Sequence, residues 1–111
     1  MVATANELID IVASFVADLE PAIRVERVIL FGSYGSGAAS RWSDIDIAVV
    51  SPDFTGVPMW RRQEMMAERM ARSDPRLAPI GYSPEELAEP PLFLRQVLAT
   101  GKILYPHAEV S

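Results

Sequence analysis

Gly32-Ser33-Tyr34-Gly35-Ser36-Gly37, then five residues, then Ser43-Asp44-Ile45-Asp46, is the stretch on which the fold turns. It follows Arg27-Val28-Ile29-Leu30-Phe31, a branched and aromatic run that predicts a buried strand stopping at Gly32. A strand that turns into a glycine-rich segment presents backbone N–H groups with no side chain in the way. A helix beginning there would add partial positive charge. The combination suits a phosphate, with the Ser33 hydroxyl as a further donor. Gly32 to Ser43 holds so few bulky groups that it predicts a loop or a short tight helix.

Asp44-Ile45-Asp46-Ile47-Ala48-Val49-Val50 predicts a second strand, ended by Ser51-Pro52-Asp53. Strand side chains alternate faces, so Asp44 and Asp46 project together, ~7 Å apart along the strand. Ile45, Ile47 and Val49 point the other way, into the core. Two neighbouring carboxylates repel unless something positive sits between them. Beside a phosphate cradle they form the arrangement that metal-assisted phosphoryl or nucleotidyl transfer needs, because Mg²⁺ takes carboxylate and phosphate oxygens. The loop is not a Walker A, since no Gly-Lys-Ser/Thr follows. Nor is it a dinucleotide fingerprint, since Ala38, Ala39 and Ser40 follow Gly37.

Outward from this stretch, Leu8, Ile11, Val12, Phe15, Val16 and Leu19 recur at helical spacing and predict a helix over 5–20, with Thr4 and Glu7 as a capping box. Val57 to Arg72 predicts a second helix, and Arg76 to Tyr82 a third strand. Ser83-Pro84-Glu85-Glu86 has the form of a helix start. Pro90-Pro91 interrupts, and Leu92 to Thr100 resumes as a helix closed by Gly101. The expected architecture is a single α/β (α+β) domain over 1–111, with helices packed on a short mixed three-stranded sheet.

The 111 residues are half hydrophobic and 23% charged, a globular balance. Fifteen acidic residues against ten basic ones, net −5, argue against general nucleic-acid binding. Absence of cysteine excludes disulfides, thiolate metal sites and cysteine nucleophiles. His107 is the single histidine, which disfavours a histidine triad or multi-histidine metal site and lies in an expected tail. No apolar run approaches the ~20 residues of a membrane span. Met1 to Glu7 lacks the basic charge of a signal peptide, so the cytosol is the expected compartment.

Leu30-Phe31-Gly32-Ser33, three residues, Gly37, five residues and Ser43-Asp44-Ile45-Asp46-Ile47 resembles the signature of minimal nucleotidyltransferase (MNT) proteins of the DNA polymerase beta superfamily. The likeness runs over roughly residues 5–105, including Tyr82-Ser83-Pro84-Glu85-Glu86 and the closing Gly101-Lys102-Ile103-Leu104-Tyr105. It implies a nucleotidyltransferase fold, with Gly32, Ser33 and Ser36 at a nucleoside triphosphate and Asp44 and Asp46 on a two-metal Mg²⁺ site. It also implies ATP or another triphosphate as substrate and AMP as the group transferred. Many such proteins are antitoxins of a helical HEPN partner, so a HEPN-like protein, or a second copy of the chain, is the expected partner.

Two positions depart from the family pattern. Active members usually carry a third carboxylate on the third strand, and Ala78 stands there. Ser36 stands where an arginine is common; Arg41 in the same loop is a candidate substitute, a solvated surface arginine being the simpler reading. Glu85 and Glu86 are explained as first-turn helix charge. These departures keep two readings open: an active transferase core, and an antitoxin-like binding subunit that kept the fold and lost the chemistry. Of the remaining features, Met59, Trp60, Met65, Met66 and Met70 are expected in the core, an exposed Met/Trp patch for a partner being the alternative. Arg61, Arg62, Arg69, Arg72 and Arg76 are expected on a solvated face. Trp42 is a candidate for stacking on an adenine.

Overall fold

The computed structural model describes residues 2–40 and 43–106, so Arg41, Trp42 and His107 lie outside the described residues. Helix α1, Ala5–Leu19, starts at the expected capping box. The Glu7 N–H donates to Thr4 Oγ1 at 3.2 Å and the Thr4 N–H donates to Glu7 Oε1 at 3.1 Å, so two otherwise orphaned donors are satisfied. Leu8, Val12, Phe15, Val16 and Leu19 of its apolar stripe are buried.

Strand β1 is Arg27–Phe31 and strand β2 is Ile45–Val50, with the short helix α2, Gly32–Ser36, between them. The two strands are antiparallel, and Phe31 pairs with Asp46. Helix α3, Met59–Ala67, crosses to strand β3, Leu77–Tyr82, which lies parallel to β2. Helices α4, Pro84–Ala88, and α5, Leu92–Thr100, then lead to strand β4, Lys102–Tyr105, antiparallel to β1. The sheet is therefore mixed as expected but four-stranded, in the order β3-β2-β1-β4, not three-stranded. Four residues with no buried side chain among them give no local strand pattern, and β4 exists only through its pairing with β1.

Both sheet faces are covered. On one, Val28, Leu30, Ile45, Ile47, Val49 and Leu77 pack with α1, Phe54 and Met66. On the other, Ile29, Ala48 and Tyr82 pack with Leu94 and Val97 of α5. Burial from both sides explains why the strand reads Ile47-Ala48-Val49-Val50 without polar alternation. Only at the start of β2, beyond the reach of this cover, can the second face carry carboxylates.

Helix α3 is shorter than the expected 57–72. Pro58 caps its start, and after Ala67 the chain winds into tighter i→i−3 turns, Arg69 N–H to Met66 O at 3.0 Å and Met70 N–H to Ala67 O at 3.3 Å. These turns bring Met70 onto the core, beside buried Met66 and partly buried Met65. Met59 and Trp60 stay exposed, at 39% and 69%, so the expected core set divides at the helix start.

Arg62 corrects the expectation of a solvated arginine face: only 9% of its side chain is exposed. Its Nε donates to Val57 O at 2.7 Å and its Nη1 to Gly81 O at 3.0 Å, and it pairs with Glu86. The next residue, Gln63, donates to Pro79 O at 2.7 Å and accepts from the Gly81 N–H at 3.2 Å. Together the two side chains satisfy backbone groups of edge strand β3 that no further strand pairs with.

Candidate active site

The expected site residues meet where β1 ends and β2 begins. Phe31, the residue before α2, offers no side-chain cap, so the first N–H groups of the turn are not claimed by a side chain. Gly32 has φ +69°, in the left-handed region, and a Cβ built on it would overlap Asp46 Oδ2. Its lack of a side chain thus lets the Asp46 carboxylate sit directly against the turn. Gly37, at φ +81°, closes α2 with its N–H donating to Ser33 O.

The same carbonyl of Ser33 also accepts from the Ala38 N–H at 2.8 Å and from Ser36 Oγ at 3.2 Å. The Ser36 hydroxyl therefore ties the loop together and keeps only its acceptor side for a ligand. Ser33 is half-buried, and among the described residues its hydroxyl has no hydrogen-bond partner. Tyr34 is an anchor that sequence reasoning missed. Its ring is buried, and its hydroxyl accepts from the Ala3 N–H at 3.1 Å, tying the loop to the segment before α1. The available signal was an aromatic residue inside an otherwise small-residue loop.

Asp46 lies within β2, half-buried, and Asp44 is exposed just before the strand begins. Burial first, and the Asp44 charge second, hold the Asp46 carboxyl above its ordinary value. Among the described residues neither aspartate has an ion-pair partner. The parallel register sets Ala78 directly beside Asp46, so its methyl group faces the same side. Among the described residues no group of three or more acidic or histidine side chains converges. Glu85 and Glu86 follow Tyr82, at the opposite end of β3 from Ala78. Glu85 accepts from the Thr55 hydroxyl at 3.0 Å, and Glu86 accepts from the Ser83 N–H at 2.8 Å. Both are structural, as expected.

The donor set is all oxygen, unbalanced in charge, and open beside backbone donors. It fits a hard divalent cation that takes its remaining ligands from phosphates and water. One test of this geometry is Gly32→Ala. The added methyl group meets the carboxylate and strains the left-handed backbone, at a cost of ~1–3 kcal/mol. A lower melting midpoint than that of the native chain is the expected outcome.

A mixed sheet thus carries a glycine-serine turn and two neighbouring aspartates together at its rim. The sequence profile of the nucleotidyltransferase domain matches residues 9–99, and this chain belongs to that family. Three solved structures share the fold. A Sulfolobus solfataricus protein proposed to be a nucleotidyltransferase matches at 18% identity and a TM-score of 0.67, over 89% of this chain and 80% of its own. A toxin–antitoxin structure with AMP-PNP matches at 25% identity and 0.55, over 87% of this chain and 72% of its own. A mutant of the toxin–antitoxin MntA-HpeT matches at 22% identity and 0.50, over 93% and 73%. A search of curated proteins gives no significant match.

Proposed function

We propose that this chain is a nucleotidyltransferase core that binds Mg²⁺ and a nucleoside triphosphate, ATP by preference, and passes its nucleotidyl group to a hydroxyl on a protein or small molecule, with pyrophosphate as the leaving group and the hydroxyl proton lost to water. The observation that carries the reading is the packing of Gly32 against Asp46, which sets the glycine-serine turn and the carboxylates at one point. Asp44 and Asp46 hold the metal, and the N–H groups of Gly32 and Ser33 hold the β- and γ-phosphates. Ser36 is a lesser contact, since its proton is already donated to Ser33 O. Mg²⁺ bound there supplies charge neutralisation of the triphosphate.

A second reading rests on Ala78: an antitoxin-like subunit that binds nucleotide but transfers it poorly, paired with a helical protein of the HEPN type. The structural neighbours described as toxin–antitoxin assemblies support a protein partner for either reading.

Calorimetric titration with ATP and Mg²⁺, beside an Asp44→Ala, Asp46→Ala double variant, tests the site itself. The native chain is expected to bind only when Mg²⁺ is present, and the double variant to lose that binding. No binding by the native chain would remove the nucleotide site. Metal-free melting gives an independent check. A carboxyl raised by folding favours the fold below its ordinary value of 3.8, and that contribution is lost as pH rises through the folded value. At neutral pH, Asp46→Asn should therefore hold or raise the metal-free midpoint, whereas added Mg²⁺ should raise only the native one.

A further inference from the structure

Helix α5 opens on Leu92 and Phe93, directly after Pro90-Pro91, and these two side chains stay exposed at 72% and 50%, whereas Leu94 and Val97 are buried. The Phe93 ring meets that of Phe31 edge to face, with centroids 5.7 Å apart and planes at 84°. Phe31 is the residue before Gly32 and the cross-strand partner of Asp46, so its ring lies on the carboxylate face. The exposed side of Phe93 thus stands one ring beyond the metal-binding carboxylate, at the mouth of the phosphate-binding turn. Trp60, also exposed, sits on α3 against β3, away from that turn.

We propose that Phe93 is the stacking platform for the base of the bound triphosphate, with Leu92 extending the apolar shelf. This rests on the nucleotide reading above. The turn and the aspartates recognise only phosphate and metal, so they give nothing to a base. A flat base gains from an aromatic surface without needing matched hydrogen bonds. The platform therefore favours the larger purines over pyrimidines and distinguishes poorly between adenine and guanine.

The test is calorimetry of the full chain with Mg²⁺ and either ATP or inorganic tripolyphosphate. The native protein is expected to bind ATP more tightly than tripolyphosphate. Phe93→Ala should weaken ATP binding by about 5- to 150-fold and leave tripolyphosphate unchanged, while Phe93→Tyr keeps native affinity. Equal ATP affinity in the native and Phe93→Ala proteins would overturn the platform and leave the nucleotide site standing. So would a native chain that binds tripolyphosphate as tightly as ATP. Failure of the native chain to bind either compound would overturn both readings.

Discussion

Ala78→Asp is expected, on the binding-subunit reading, to raise Mg²⁺-dependent pyrophosphate release from ATP by about 10²- to 10⁴-fold, the usual contribution of a positioned acid–base group. The register sets residue 78 beside Asp46 on the same face, and the position is half-exposed, so a carboxylate fits without displacing the core. An aspartate there completes a three-carboxylate set. It would add a further carboxylate to hold a divalent cation and a base for an incoming hydroxyl, neither of which a methyl group supplies.

The same substitution should lower the metal-free melting midpoint, because a third negative charge joins a pair that already lacks a counter-ion. Added Mg²⁺ should reverse that loss. Ala78→Asn is the control: it matches the shape without the charge, and a comparable rise in turnover would remove the carboxylate argument. A native chain that already releases pyrophosphate as fast as the variant would remove the binding-subunit reading instead.

The parts of the candidate site were legible because each is local. Gly32-Ser33 and Asp44-x-Asp46 are each read within a few residues, although the strand begins only at Ile45, so alternation places Asp46 and not Asp44. The contact between Gly32 and Asp46 was not legible, because it depends on the pairing of β1 with β2 and on a left-handed turn. The burial of Arg62 was hidden for a related reason. Its neighbours Arg61, Glu64 and Glu68 form a charged surface set, 43–58% exposed, and helical periodicity at the start of α3 does not say which arginine turns inward. Glycine at position 81 is what admits it: a Cβ there would stand 2.8 Å from the Phe54 ring and 3.3 Å from Arg62 Cβ. That constraint belongs to two segments 19 residues apart.

Arg62→Met is expected to destabilise the fold by about 2–4 kcal/mol, a fall in melting midpoint on the order of 10–20 °C. Methionine keeps much of the packing of the stem over Phe54, whose ring centre lies 6.0 Å from the guanidinium carbon. What it removes are donors to Val57 O and Gly81 O, and the cation facing Glu86. Burial alone would raise the Glu86 carboxyl, but hydrogen bonds from Ser83 and Arg62 hold it below its ordinary value of 4.5. A lowered carboxyl contributes stability above that ordinary value and loses it as pH falls through the folded value. The native midpoint should therefore drop as pH falls below 4.5, and the drop attributable to Glu86 should shrink in Arg62→Met. Arg61→Ala, one residue away on an exposed ion pair, should leave both midpoint and pH dependence nearly unchanged. If the two variants melt alike, Arg62 does not hold α3, β3 and α4 together.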